Sequence, residues 1–311
     1  MNDHSSPGLG TFEERLRAGR FVMTAEIAPP VSCDAADLQS KAAPLKGLAD
    51  AVNVTDGAGA RAHMAALAGA SLLIGMGIEP ILQLTCRDKN RIALQSELMG
   101  AAALGVRNLL MLTGDDPKAG DQPDTKPVFD IDSKTLIETA RRLRDDGTLP
   151  TGRKVAGRAA FFLGAADMPI DPPADWRPNS LAGKIKSGAQ FAQTQFCMDA
   201  AIVRRYVGVL ADAGLTHQLA ILIGVNPLRS AKSAQWMKSH LFGTIISDAF
   251  IKRMEGAGDP ESEGVRICVE LIEELATIPG VAGVHIMAPG NDAAIPEVIA
   301  QVRARVPATA I

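Results

Sequence analysis

Glu26 is the residue of this chain best suited to acid chemistry. It closes the apolar run VMTAEI and lies between Ala25 and Ile27. A carboxyl group in such a position faces either water or the apolar mouth of a sheet. In the second case, desolvation favours the protonated form, and the group becomes usable as a general acid. The pattern alone leaves both interpretations open.

A second carboxylate, Asp115, follows the apolar run NLLMLT and a glycine. Gly114 permits close approach of the backbone to a planar ligand, and Asp115 can accept a hydrogen bond from a ring N–H. The alternative is an ordinary Asp-Pro turn, since Asp116 precedes Pro117.

Polar residues also occur at two other apolar runs. Thr55, Asp56 and Gly57 follow DAVNV, where they either bind a ligand or cap the next helix. Gln193 and Gln195 lie in a predicted strand and share one of its faces, because side chains alternate with a period of two. Buried amides need partners, which either a ligand or a packing network inside the sheet supplies.

The histidines and cysteines indicate no further site. His285 lies within an apolar run and is predicted to be a core histidine without a carboxylate partner. None of the five histidines has the i, i+4 spacing of a helical metal site, so we expect no metal. The four cysteines are far apart in the sequence and are predicted to be reduced thiols. Cys86 and Cys197 come just after predicted strands, so an active-site position is the alternative for these two.

These residues lie on apolar runs that alternate with helical patterns. We predict strands at 22–27, 50–55, 79–85, 108–113, 155–163, 190–195, 217–224 and 281–287. We predict helices at 35–48, 62–76, 91–104, 133–147, 180–187, 199–213, 230–240 and 292–304, further helical segments at 244–256 and 260–278, and proline-rich loops at 115–132 and 166–179. Continuous apolar runs are typical of parallel strands that are buried on both faces.

Eight βα units with right-handed crossovers close most economically into a barrel, whose active site lies at the carboxyl ends of the strands. We therefore predict an α/β fold, a single (βα)8 TIM barrel. A doubly wound open sheet is the alternative, but the segment APPVSCD after the first strand lacks the glycines of a dinucleotide-binding turn.

Composition and charge limit the number of domains, the binding partners and the cellular location that we expect. The chain has 311 residues, 47% of them hydrophobic and 22% charged, which suits one barrel domain over residues 12–311 with a flexible tail over residues 1–11. A net charge of −3 argues against a general affinity for nucleic acid or anionic membranes. Without a signal-peptide pattern or a membrane-spanning run, we expect a cytoplasmic protein.

Seven segments taken together resemble the methylenetetrahydrofolate reductases, over about residues 12–302. They are Ala25-Glu26 with Pro29-Pro30, NVTD (53–56), QLTCRDKNRIALQSELMGA (83–101), LTGDDP (112–117), VFDIDS (128–133), GAQFAQTQF (188–196) and GVHIMAPG (283–290). The resemblance is closest to the compact bacterial branch without a regulatory domain. It implies a TIM barrel with a flavin, usually FAD, that takes hydride from NADH or NADPH and reduces 5,10-methylenetetrahydrofolate to 5-methyltetrahydrofolate. That reaction belongs to one-carbon metabolism and methionine biosynthesis.

The resemblance also assigns roles to residues by position. Glu26 matches the family's general acid, Asp115 an aspartate near flavin and pterin, and Gln195 a glutamine that contacts the pterin. The residues at flavin-contacting positions are Thr55, Gln83, Leu112, Thr113, Gly114, Asp115, Phe129, Asp132 and Lys184. The expected partners are the folate substrate and further copies of the same chain.

Departures from the best-studied branch concern the flavin and the electron donor. Gln83, Thr113 and Ala231 replace a histidine, an arginine and an aromatic residue, and AAFFLGAADMP replaces a segment that carries tyrosine, proline and histidine. FAD, FMN, a weakly held flavin and direct hydride transfer without flavin therefore remain open. Two other classes also remain: a subunit of a larger reductase fed by a partner protein, and a pterin-binding methyltransferase on the same barrel.

Overall fold

The computed structural model describes residues 11–305, in which strands and helices alternate along the chain. The strands are β1 Val22–Ile27, β2 Ala51–Val54, β3 Pro80–Thr85, β4 Asn108–Leu112, β5 Phe162–Asp167, β6 Phe191–Met198, β7 Ala220–Val225, β8 Ile245–Ile246 and β9 Val281–Ile286. The helices are α1 Thr11–Arg17, α2 Ala35–Ala42, α3 Ala66–Gly75, α4 Arg91–Ala103, α5 Ser133–Asp145, α6 Asn179–Ser187, α7 Ala200–Asp212, α8 Ala231–His240, α9 Asp248–Glu255, α10 Pro260–Leu275 and α11 Ala294–Arg305. Among these described residues, no helix has the length and apolar character needed to cross a membrane.

The sheet closes on itself. Parallel pairing runs in order from β1 to β7, continues from β7 to β9, and returns from β9 to β1. The short strand β8 pairs only with the end of β6 and lies outside this ring. The predicted (βα)8 barrel is therefore confirmed, and the open doubly wound sheet is wrong.

Most elements form where the sequence predicts them because local signals mark their ends. The side chain of Asn90 accepts hydrogen bonds from the amides of Ile92 and Ala93 and so begins α4. Asp132 caps α5 in the same way through Thr135. Every residue of β2 and β3 is buried, as expected of strands enclosed by the barrel and its helices.

Two predicted elements are wrong in position. The fifth strand, predicted at 155–163, begins only at Phe162, because Gly157 has a φ of +86°, a left-handed conformation that an extended strand does not contain. β5 therefore ends on Asp167, inside the predicted loop 166–179. The helical segment predicted at 244–256 begins with β8 instead, since Ile245 and Ile246 pair with the end of β6.

Helix α1 packs against the amino end of the barrel. Phe12 is fully buried, and its ring lies edge-on to Phe162 and Phe191 at centroid distances of 5.9 and 5.3 Å. Below these rings the barrel interior is apolar, with Val22, Ile81, Leu110 and Leu222 in the same cluster. Thr11, the last residue of the predicted tail, begins α1, and the rest of that tail lies outside the described residues.

Candidate active site at the carboxyl end of the barrel

A cavity of about 1560 Å³ lies at the carboxyl end of the barrel. Sites for one small molecule usually measure about 300–1,000 Å³, so this cavity has room for two ligands side by side. Of the predicted site residues, Glu26, Gln83, Leu112, Thr113, Asp115, Lys184 and Gln195 line it. An adjoining cavity of about 330 Å³ adds Thr55 and Gly114. The structure thus brings together residues from six strands or the segments that follow them.

The Glu26 carboxyl is held by two N–H groups at the barrel mouth. Its Oε2 accepts a hydrogen bond of 2.8 Å from Nε2 of Gln83 and lies 3.3 Å from Nε2 of His285. The side chain keeps 22% of its surface exposed and faces both cavities. Because both neighbours use Oε2, the other carboxyl oxygen is the one that would carry and deliver a proton.

His285 has the carboxylate partner that the sequence analysis did not find. It is only 3% exposed, so the predicted core position is confirmed, but the prediction that it lacks a carboxylate is wrong. The reason is barrel closure: β9 pairs with β1, Thr24 is in register with His285, and Glu26 follows two residues later on the same face. Nothing in the local sequence shows that these strands are neighbours.

A buried polar network surrounds Nδ1 of His285. Nε2 of Gln193 lies 3.3 Å from Nδ1 of His285, and the Thr24 hydroxyl lies 3.0 Å from it. Nε2 of Gln193 also donates to the Thr24 hydroxyl and to Oδ1 of Asn53, both at 3.0 Å, so this side of the imidazole ring is held in place. Because an ionised carboxylate only accepts, Nε2 of His285 carries the proton of the contact with Glu26.

Gln193 and Gln195 have different environments although they lie on one strand. Gln193 is 2% exposed and exchanges amide hydrogen bonds of 2.6 and 3.0 Å with Asn53 inside the barrel. Gln195 lies at the mouth, because β6 contains an extra residue relative to β7 between Gln193 and Phe196. Gly224 accommodates this bulge, since a Cβ there would lie 2.3 Å from the Thr194 carbonyl oxygen. Both side chains border the large cavity, but Gln193 is paired with Asn53 inside the barrel, which fits the packing interpretation, whereas Gln195 also borders the small cavity.

The loop after β2 is tied to the loop after β3. Asp56 accepts hydrogen bonds of 2.9 Å from the Thr85 amide and from Nζ of Lys89. Burial opposes the charge of Lys89, but Asp56 and Glu97 outweigh burial and raise the pKa of that ammonium group. Asp56 therefore joins the two loops, and the predicted ligand-binding role of this segment stays a prediction for its neighbour Thr55.

Asp115 is exposed at the edge of both cavities. The preceding Gly114 has a φ of +96°, and a Cβ there would lie 2.9 Å from Cβ of Arg87. Glycine is thus required by conformation and by the packing of Arg87. The close neighbours of Gly114 are the side chains of Arg87 and Thr85, and the Asp115 carboxylate faces the cavity.

The predicted flavin-contacting residues fall into two groups. Phe129 and Asp132 line neither cavity, whereas the others border at least one of them. These others are Thr55, Gln83, Leu112, Thr113, Gly114, Asp115 and Lys184. Asp132 uses its carboxylate to cap α5, and hydrogen bonds from Thr135 lower its pKa. The Thr55 hydroxyl is buried and has no hydrogen-bond partner within residues 11–305, so a ligand edge at this position would satisfy it. The cavity-facing residues therefore fit a planar heterocycle such as a flavin ring.

Asp167 is a cavity residue that the sequence analysis missed, because β5 was placed too early. It accepts a hydrogen bond from the Tyr206 hydroxyl and lies 3.9 Å from Nζ of Lys184. Burial raises the pKa of Asp167 and lowers the pKa of Lys184, so desolvation favours the neutral form of each. Lys184 also donates to the Ala166 carbonyl, which fixes its ammonium group beside β5.

The cysteines are free thiols in the described residues. Burial raises the pKa of Cys86 to about 11 and that of Cys197 to about 12. Neither residue lines a cavity. Thiols with raised pKa values in apolar surroundings are unreactive, which supports a packing role.

Comparison with known proteins places the chain in a family. A model of the methylenetetrahydrofolate reductase family matches residues 11–303. A probable methylenetetrahydrofolate reductase (NADPH) from Caenorhabditis elegans is 24% identical over 239 residues, which make up 74% of this chain and 33% of that protein. The chain thus spans about a third of the length of this relative.

Two solved structures share the fold. An uncharacterised protein from Clostridium thermocellum that binds two copies of 5-methyl-5,6,7,8-tetrahydrofolic acid superposes with a TM-score of 0.69 at 11% identity, covering 95% of this chain and all of that one. DmoA from Hyphomicrobium sulfonivorans superposes with a TM-score of 0.54 at 11% identity, covering 94% and 91%. At this identity the structures show the fold alone, whereas the family model covers nearly the whole chain, and the chain belongs to the methylenetetrahydrofolate reductase family.

Proposed function

We propose that this protein reduces 5,10-methylenetetrahydrofolate to 5-methyltetrahydrofolate with NADH or NADPH, and that Glu26 supplies the proton. The observation that carries the proposal is the position of Glu26, which faces the cavity while side-chain nitrogens of Gln83 and His285 contact one of its oxygens. Family membership supports the reaction. The folate bound by the Clostridium thermocellum protein supports the substrate class.

The reaction needs one proton and one hydride. Breaking the bond between the bridging carbon and the nitrogen that carries the benzoyl ring leaves an electron pair on that nitrogen, which takes up the proton. The bridging carbon becomes the cationic end of an iminium, and hydride addition converts it to the methyl group. A positioned carboxylic acid typically accelerates such a step by about 10²–10⁴-fold.

Gln83 and His285 are positioning residues for this acid. Their N–H groups fix Oε2 of Glu26, so the second oxygen points its proton in one direction. The Gln193–Thr24–His285 contacts extend this support into the barrel interior.

Asp115 and Gln195 suit the two ends of the pterin. The Asp115 carboxylate lies at the cavity edge, where its charge would stabilise the cationic iminium. The Gln195 amide contacts the Phe196 N–H and the Phe242 carbonyl, and its second N–H and second oxygen lone pair would serve the pterin ring.

A flavin, with FAD as the expected form, would be held by Thr55, Gln83, Leu112, Thr113, Gly114, Asp115 and Lys184. When bound, it would carry hydride from the nicotinamide to the folate. Thr55 would donate or accept at the edge of the ring, and Lys184 would offer a cation from the β5 side. Phe129 and Asp132 would contribute only if they reorient, since neither lines the cavities.

The direct test is turnover by the purified protein. We expect 5-methyltetrahydrofolate to form from 5,10-methylenetetrahydrofolate with NADH or NADPH, and comparison of the two identifies the donor. The visible spectrum distinguishes bound flavin, bleached by the donor, from flavin-free transfer. No product with either donor, with or without added FAD or FMN, would contradict the proposal. Methyl transfer from 5-methyltetrahydrofolate to a cobalamin would instead indicate the methyltransferase.

A further inference from the structure

Asn226 is a buried amide that faces the large cavity without a strong hydrogen-bond partner for its side chain. It is 4% exposed and lines the cavity one residue beyond the end of β7. Its Nδ2 lies 3.9 Å from the sulfur of Met237, and a thioether is a weak acceptor. Within residues 11–305, no donor reaches its carboxamide oxygen. Because buried amides normally have partners, this one has hydrogen-bonding capacity left for a ligand.

The main chain around Asn226 is held in place. The Asn226 amide donates to the sulfur of Met198 at 3.3 Å. Nδ2 of Asn291 donates to the carbonyl oxygen of Pro227, the next residue in the chain, at 3.3 Å. The position of Asn226 is thus organised without a ligand.

The strand register places Asn226 at the level of Glu26. Ile286 of β9 is in register with Val225 of β7 on one side and with Ala25 of β1 on the other. Asn226 and Glu26 are the next residues of β7 and β1, and both side chains line the cavity. Because neighbouring strands are about 4.8 Å apart and one strand lies between them, the backbones of Asn226 and Glu26 are about 10 Å apart.

Asn226 and the proposed flavin-binding residues lie in opposite directions from Glu26. Around the barrel, β1 is followed by β2, β3 and β4 in one direction and by β9, β7 and β6 in the other. The small cavity, which Thr55, Thr113 and Gly114 line, lies in the first direction and is not lined by Asn226. Asn226 lies in the second direction, on the strand next to that of Gln195. It therefore faces the space that the proposed function gives to the pterin.

We propose that Asn226 binds the amino-oxo edge of the pterin and is a specificity-determining residue for the folate. This inference rests on the proposed function. The bridging carbon joins the pterin to the nitrogen that Glu26 protonates, so that end of the pterin lies beside Glu26. The opposite edge of the rigid two-ring system then reaches across the barrel mouth. It carries a carbonyl acceptor beside a ring N–H donor, which a carboxamide matches with one N–H and one oxygen.

The test removes the Asn226 carboxamide and compares two ligands that share the pterin. Binding of 5-methyltetrahydrofolate and of 6-methyltetrahydropterin, which lacks the benzoylglutamate, is measured by anaerobic calorimetry for wild type and for Asn226→Leu. We expect leucine to weaken both ligands by the same factor, about 10- to 100-fold, because two hydrogen bonds are lost and the pterin edge is left unpaired. The Tm of the free protein should not fall, since leucine has nearly the same size and leaves no buried amide unpaired.

Gln218→Leu is the matched control. It removes an exposed amide just before the amino end of β7, far from the cavity, and should leave both affinities unchanged. The KM for NADH or NADPH is measured on the same two variants, and we expect it to stay at the wild-type value in both.

Unchanged affinity of Asn226→Leu for both ligands would overturn the inference. Weakening of the folate alone would assign Asn226 to the benzoylglutamate, and a raised KM for NADH or NADPH alone would assign it to the dinucleotide, so either result would overturn it too. Should the leucine variant unfold, Asn226→Ala carries the same comparison, because a smaller side chain fits beside the cavity. Failure of the wild-type protein to bind 5-methyltetrahydrofolate would instead count against the proposed function itself.

Discussion

The two ends of the barrel each hold a carboxylate, and their surroundings differ. At the amino end, Asp50 has 1% of its side chain exposed, pairs with Arg15 and Arg303, and accepts a hydrogen bond of 2.7 Å from the Met23 amide. At the carboxyl end, Glu26 faces a cavity and has Gln83 and His285 as hydrogen-bonding neighbours. Asp50 is thus enclosed between two guanidinium groups, whereas one side of Glu26 is open to a ligand.

The side chains inside the barrel also differ between its two ends. The amino end is filled by stacked phenylalanines, of which Phe162 and Phe191 lie 5.0 Å apart. The carboxyl end contains amides, a histidine and a hydroxyl group that lacks a partner within residues 11–305. Aromatic rings fill the amino end, whereas polar side chains face a cavity at the carboxyl end. The groups that stabilise the fold by aromatic packing and the groups of the candidate site thus lie at opposite ends of the barrel. Substitutions at each end can test this division.

The largest effect on stability is expected at the closed end. Phe12→Ala removes a fully buried ring that packs edge-on against Phe162 and Phe191 and should lower the free energy of unfolding by about 3–5 kcal/mol. Urea unfolding measures this change. Phe242→Ala, at the open end and 86% exposed, is the control and should change it by less than about 0.5 kcal/mol. Equal losses in both variants would remove the distinction between the two ends.

His285→Ala should affect turnover more than stability. It removes the N–H group that holds Glu26, and losing a hydrogen bond to a charged group costs about 1.5–3 kcal/mol, or roughly a 10- to 100-fold fall in kcat. His285→Gln keeps an N–H donor near the same place and should restore part of kcat. If glutamine and alanine are equally slow, hydrogen bonding to Glu26 is not the role of His285.

A smaller effect, dependent on pH, is expected for Tyr206→Phe. The variant deprives buried Asp167 of a hydrogen bond and should lower the free energy of unfolding by about 1–3 kcal/mol at neutral pH. Burial raises the pKa of Asp167 above its usual value of 3.8. The stability that the protonated group contributes is therefore fully present below pH 3.8 and is lost as the pH rises through the raised pKa. The hydroxyl group favours the carboxylate, so its removal raises that pKa further.

The difference between this variant and wild type should therefore shrink as the pH falls towards 3.8. Urea titrations at neutral and at acid pH provide the comparison. A difference that stays constant with pH would indicate lost packing, with no contribution from the charge of Asp167.

The barrel was predictable from the sequence because its signals are local. Apolar runs mark the strands, and capping residues such as Asn90 and Asp132 mark the helix starts. β5 was misplaced where an apolar run crosses Gly157, whose left-handed conformation cannot be inferred from residue type alone. That shift hid Asp167, which lies at the end of the true strand.

The site was predictable only in part, since its partners are distant in the chain. The polar residues at strand ends indicated Glu26, Asp115 and Gln195, and the structure places all three along one cavity. The contact of Glu26 with His285 depends on the pairing of the first and last strands, and the bulge that separates Gln193 from Gln195 depends on Gly224 in another strand. Such long-range relations have no local sequence pattern.

The most direct test of the account is the rate at which Glu26→Gln forms 5-methyltetrahydrofolate in a single turnover. Glutamine has nearly the same shape and its oxygen can still accept the hydrogen bonds from Gln83 and His285, but it has no proton to give. We predict a rate about 10²–10⁴-fold below wild type, with unchanged binding of 5-methyltetrahydrofolate and an unchanged circular dichroism spectrum. A rate close to that of wild type would show that Glu26 is not the acid and would contradict the mechanism.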